Sequence, residues 1–291
     1  MDFAHFNSLF DAIDLSGGLA LACGGLVVGF IVGLTGVGGG SLMTPLLILL
    51  FGVKPHLAIG TDLLFAAFTK SGALPNLIRQ RRVDWLIVGL LSIGSISASL
   101  ATTKVMQSLG PQSESWQSLT CHLLGAMLLL TALSMFYKVW RAQSHPKHLV
   151  QNLQQLPGHS THDVENRRRG LSPRQVVACI VLGIVLGALV TITSVGAGAI
   201  GTAVLIALFP AMPLPRIVAN DIAHAIPLTF IAGLGHAWVG TVDWAMLAWL
   251  LVGSLPGIWL GTHSFQRFSE RWVRGGLSIL LAYAGLRLAL I

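Results

Sequence analysis

A charged side chain in hydrocarbon costs free energy, so each one embedded in an apolar run calls for a function. Lys70, in AlaPheThrLysSerGly, is the one basic residue of this chain well inside such a run. Asp62 precedes it by eight residues, about 12 Å along a helix, too far for a direct pair. A cation at Lys70 suits drawing an anion into a membrane path. The competing reading is a long side chain that reaches the interface or pairs with an acid from another segment. Asn220, Asp221 and His224 form the second group. Asp221 and His224 are three apart, hence neighbours on one helical face, and histidine titrates near neutrality, so this pair suits carrying a coupling proton. Asp62 and Asp221 read equally well as N-caps that start their helices. Asp84 and Asp243, each within ValAspTrp, read as caps, with Trp85 and Trp244 as interface anchors.

The third group is backbone. Gly36, Gly38, Gly39 and Gly40 lie in ThrGlyValGlyGlyGlySerLeu at 35–42, where the chain can turn sharply with its amides uncovered. A helix is predicted to follow, with Ser41 or Thr44 as cap and Pro45 in its first turn. Free amides at the positive end of a helix dipole make an anion site without any basic side chain. Ser194, Gly196, Gly198 and Thr202 repeat the arrangement in ThrSerValGlyAlaGlyAlaIle at 193–200. The plainer alternative is close helix packing, since Gly36 and Gly40 have small-xxx-small spacing.

The elements that must hold these groups follow from composition. Of 291 residues, 54% are hydrophobic and 10% charged, far below the charge of a soluble domain. Apolar runs fall near 16–35, 41–52, 60–78, 85–104, 118–140, 175–194, 198–209, 217–235, 244–262 and 272–291. Helices are expected throughout, because backbone groups in lipid must be satisfied within each segment. The runs 41–52 and 198–209 are too short to cross alone, and both follow glycine breaks. The breaks lie 158 residues apart, Asp62 aligns with Asp221, and ValAspTrp at 83–85 aligns with ValAspTrp at 242–244. The expected fold is therefore an all-α polytopic membrane protein of two repeats, five hydrophobic segments each, with broken or re-entrant short helices. Residues 1–15 form an interfacial segment, 16–140 the first repeat, 141–173 a polar linker and 174–291 the second repeat.

An odd number of segments per repeat predicts inverted topology. With the N-terminus outside, fourteen of the eighteen Lys and Arg fall on cytoplasmic segments, among them Arg79, Arg81 and Arg82, while the equivalent residues 235–243 carry none. The linker is then cytoplasmic and both termini periplasmic. Ten full spans and fewer spans with two hairpins give the same loop sides, so both stay open. A pair of glycine-interrupted short segments at matching positions points to a transporter site between the repeats.

Other classes find little support. The net charge of +7 is a topology signal rather than a nucleic-acid footprint. Cys23, Cys121 and Cys179 are isolated, and no HExxH or comparable ligand set suggests an enzyme, a metal or a cofactor. His145, His148, His159 and His162 sit in the linker, where a solvated connector is a simpler reading than a metal tract. A passive anion channel, or a permease for other small organic anions, would share the helix-tip site and is the alternative to a carrier. A homo-oligomer is compatible with the sequence.

ThrGlyValGlyGlyGlySerLeuMetThrProLeuLeu at 35–47, AlaIleGlyThrAspLeuLeuPheAlaAlaPheThrLysSer at 58–71 and AsnAspIleAlaHisAlaIleProLeuThr at 220–229 resemble the TauE/SafE family of sulfite exporters. That resemblance implies a multi-pass bacterial inner-membrane carrier, commonly an exporter, of sulfur-containing anions such as sulfite, thiosulfate, sulfoacetate or other organosulfonates.

Overall fold

The structure is a computed structural model that describes residues 15–35, 40–72, 74–110, 113–144, 171–196, 198, 200–264 and 270–290. The N-terminal interfacial segment, Gly36, Gly38, Gly39 and the linker histidines lie outside the described residues. Eleven helices and no strand occur among those described: α1 Leu15–Thr35, α2 Gly40–Phe51, α3 Pro55–Ser71, α4 Leu74–Arg79, α5 Trp85–Leu109, α6 Glu114–Ser144, α7 Pro173–Thr193, α8 Ile200–Leu208, α9 Leu214–Val239, α10 Trp244–Ser264 and α11 Glu270–Ala289. Among the described residues, six stretches are long and apolar enough to cross a membrane: Pro55–Arg79, which takes in α3 and α4, Trp85–Leu109, Trp116–Ser134, Pro173–Thr193, Leu214–Val239 and Trp244–Gly261. The helices that follow the glycine breaks have 12 and 9 residues, roughly 18 and 14 Å at 1.5 Å per residue, and neither reaches across a bilayer alone.

Helix ends carry recognisable chemistry. Asp84 caps α5 by accepting from the Leu86 amide at 3.2 Å, and Asp243 caps α10 by accepting from Met246 at 2.9 Å, as their place in ValAspTrp leads one to expect. Trp85 and Trp244, just inside those caps, are exposed. Ser172 and Gln175 form a reciprocal capping box ahead of Pro173 and α7. Two expectations are corrected. Asp62 and Asp221 lie seven residues inside α3 and α9, so they cap neither helix. The run 60–78 is not one helix: α3 stops at Ser71 and α4 starts at Leu74, because Pro75 clashes with a continuing helix and suits a first turn.

Packing pairs helices from the two halves of the chain. α1 runs along α10, α7 along α5, α6 against α11, and α3 against α9. Glycines let backbones touch at these crossings: a Cβ on Gly25 would stand 2.4 Å from the Leu250 carbonyl oxygen, and one on Gly183 2.3 Å from that of Leu91. Gly29 against Ser254 is matched in the same way by Gly187 against Ser95. Each pair maps onto the other by the offset that relates the sequence motifs. Two apolar cores fill the interior, one around Met43, Leu47, Phe65, Leu124 and Leu250, the other around Ile59, Leu63, Leu91, Leu186 and Leu228. Large apolar side chains such as Leu50, Ile93, Trp238, Trp259 and Ile279 face outward, the surface a hydrocarbon solvent favours.

Candidate functional site

The interior polar groups gather where α2, α3, α7, α8 and α9 meet. Asp62 on α3 is fully buried. Its Oδ2 accepts from the Thr44 amide at 3.2 Å, from the Thr44 hydroxyl and from the Ser194 hydroxyl at 3.0 Å. Thr44 lies in the second turn of α2 and Ser194 ends α7 in the left-handed region at φ 57°. One carboxylate oxygen thus ties together both broken segments, and its Oδ1, also buried, has no hydrogen-bond partner among the described residues. Thr44, expected to cap α2, instead sits inside it and spends both donors on Asp62. Pro45 is likewise internal to α2.

Asp221 repeats the arrangement on α9. Its Oδ2 accepts from the Thr202 hydroxyl of α8 at 2.9 Å, and that hydroxyl also bonds the Gly198 carbonyl. Gly201 is required beneath it, since a Cβ there would stand 2.3 Å from Asp221 Oδ1. Thr44 with Asp62 and Thr202 with Asp221 occupy matching positions of the two halves. Gly196 and Gly198, at φ 128° and 119°, hold backbone conformations that side chains rarely adopt, which explains why glycine punctuates the second break.

Lys70 is 6% exposed on the same helix as Asp62. Asp221 of the other half and Asp62 act on it electrostatically, and it acts in turn on His224. His224 is completely buried, and its Nε2 meets the Ser95 hydroxyl of α5 at 2.9 Å. Its Nδ1 has no partner among the described residues. One turn later Pro227 lies inside α9 and has no N–H to return to the Ala223 carbonyl. Asn220 is directed elsewhere: its Oδ1 accepts from the Asp84 amide at 2.7 Å. Gly40 begins α2, and Ser41 follows it in the same turn.

Sequence reasoning missed a polar ladder beside this group. Ser99 on α5 accepts from the Thr191 hydroxyl at 2.8 Å, and His236 on α9 bridges the Thr191 carbonyl at 2.9 Å and the Thr241 hydroxyl at 2.8 Å. Ser95 and Ser99, four apart on α5, were a readable hint of a polar stripe. His236 carried no signal, because the Thr191 carbonyl that it meets comes from a segment 45 residues away. No group of three His, Cys, Asp or Glu side chains able to hold a metal occurs among the described residues.

Apolar helices of spanning length around two buried carboxylates, a lysine and a histidine define a polytopic membrane protein with a charged interior. The chain belongs to the TauE/SafE family: the family model described as sulfite exporter TauE/SafE matches residues 21–288. It is 35% identical over 264 residues to the probable membrane transporter protein YjnA of Bacillus subtilis, which covers 91% of this chain and 96% of the relative. A second Bacillus subtilis protein, the probable membrane transporter YdhB, is 25% identical over 90% of this chain and 96% of its own. A probable membrane transporter of Xylella fastidiosa is 27% identical over 86% and 85% respectively. No solved structure matches the chain. The protein is therefore a membrane transporter of the TauE/SafE family.

Proposed function

We propose that the protein carries small sulfur-containing anions, sulfite or an organosulfonate first among them, outward across the bacterial inner membrane by alternating access. The observation that carries this reading is the buried Lys70 side chain, acted on electrostatically by a carboxylate from each half, Asp221 and Asp62. A compact anion is the ligand that such a cation takes in a low-dielectric interior. The two broken segments, Gly40 and Ser41 in the first half and Ser194, Gly196 and Gly198 in the second, are assigned to flank it, and Gly36, Gly38 and Gly39 belong to the same sequence motif. Part of the positive end of α2 is filled by Asp62 through the Thr44 amide, so the anion is assigned to the Lys70 side of the site rather than to that helix tip alone. Asp62, Asp221 and His224 are the groups that exchange the coupling proton, which offsets the anion's charge during the crossing.

The matched Thr–Asp pairs, the paired glycine crossings and the arginines of one loop only support two inverted repeats, with the linker cytoplasmic and both termini periplasmic. Alternating access then follows from one half rocking against the other around the Lys70 site. Flux of sulfite into or out of vesicles holding the purified protein tests the proposal. Saturable transport at carrier rates that Lys70→Met abolishes without loss of folded protein is expected. Undiminished flux in that variant would refute the assignment, and conduction far above carrier turnover would make the protein a channel.

A further inference from the structure

Two hydrogen bonds join the halves next to the site carboxylates, and they are equivalent. The Asp84 amide at the start of α5 donates to Asn220 Oδ1 at 2.7 Å. The Asp243 amide at the start of α10 donates to the Thr61 hydroxyl at 3.0 Å. Asn220 directly precedes Asp221, and Thr61 directly precedes Asp62. Asn220 and Thr61 are 1% and 0% exposed. Asp84 follows the loop with Arg79, Arg81 and Arg82, whereas Asp243 follows the loop at Gly240 that has no Lys or Arg, so the charge pattern sets these two helix starts on opposite sides of the membrane.

From this geometry we infer that Asn220 and Thr61 are paired positioning residues, each the latch of one mouth of the transport path. The amide of a cap residue has no partner within its own helix; Asp84 is exposed and Asp243 half-buried, whereas the acceptors that meet their amides are buried, and a buried acceptor is costly to leave unmade. Each amide is satisfied by a buried acceptor of the opposite half, so breaking its bond lets water pass the helix start to that acceptor and opens the mouth. Both bonds are made in this structure, which is the arrangement with both mouths closed. Each latch residue is one peptide from a carboxylate, so a change in what Asp62 or Asp221 holds reaches the corresponding mouth through a single peptide unit. The inference rests on the alternating-access reading above.

Labelling of cysteines introduced at Ile87 and Met246 tests it. These two positions follow Asp84 and Asp243 by three residues and are 1% and 3% exposed, so a thiol there reacts only when its own mouth opens. In the full-length chain, with Cys23, Cys121 and Cys179 replaced by Ala, a membrane-permeant thiol reagent is applied to membrane vesicles. Asn220→Ala is expected to raise labelling of Ile87→Cys about threefold or more and to lower that of Met246→Cys. Thr61→Val is expected to do the reverse, and the two combined to restore the balance. Asn220→Thr and Thr61→Ser, which keep an acceptor, should stay near parental rates. A rise at the near cysteine with no fall at the far one is local fraying and overturns the proposal, as do parallel rises or no change. Sulfite added to the parent tests the substrate separately: a parent indifferent to sulfite whose latch variants still shift reciprocally supports the latches and contradicts sulfite as the cargo.

Discussion

Lys70 and the acids around it make the interior of this protein a place where charge must be balanced. A lone buried ammonium costs several kcal/mol even after relaxation, and here two carboxylates share the task. If the substrate anion takes part of that balance, Lys70→Met should weaken sulfite binding at least tenfold, about 1.4 kcal/mol, whereas Lys70→Arg should keep a larger part of it. His224→Gln should flatten the pH dependence of transport, measured as flux between pH 5 and 8, because the proposed coupling proton passes through its ring. An unaltered profile would remove His224 from proton coupling. The chemistry-bearing side chains were legible from residue type alone, since a Lys, an Asp or a His in an apolar run is conspicuous. What they touch was not. Asp62 reads as a cap until the fold brings Thr44 and Ser194, from segments 18 and 132 residues away, onto one of its oxygens. Asn220 reads as a companion of Asp221, yet its acceptor serves a backbone amide of the other half.

Among elements, the helix crossings are the least tolerant feature. A Cβ on Gly187 would stand 2.3 Å from the Ser95 carbonyl oxygen, and one on Gly29 2.4 Å from that of Ser254. Neither backbone can move aside without separating the helix pair. Gly187→Leu and Gly29→Leu should each cost at least 1–3 kcal/mol through overpacking, seen as loss of monodisperse protein after detergent extraction. Leu at Gly89, where a side chain meets open space, should leave it intact. Replacing Gly40 with Leu addresses function instead: transport should be lost while the protein still extracts as one species. Segment positions were well read from hydropathy, because spanning length and apolar content are properties of local sequence. The break between Ser71 and Leu74 was missed because apolarity continues across it, and Pro75 was the signal to weigh more heavily. The links from Ser99 to Thr191 and on to His236 could not be read locally, for these three residues lie on three helices.

At the scale of the whole molecule, the recurrence of one contact pattern in both halves is the organising fact. It joins the matched Thr–Asp pairs, the matched glycine crossings and the matched latches into a single account of two halves moving about a shared charged centre. The account makes a topological demand: an impermeant thiol reagent applied from the periplasm should reach a cysteine at Gly240 and fail to reach one at Arg81, and the reverse pattern would undo the charge argument. The most direct test of the central claim is calorimetric titration of the purified wild-type protein and its Lys70→Met variant with sulfite, thiosulfate and an organosulfonate, with acetate as control. Saturable binding of at least one sulfur anion by the wild type, little by the variant, and none of acetate by either is expected. Equal binding by wild type and variant, or acetate bound as well as the sulfur anions, would contradict it.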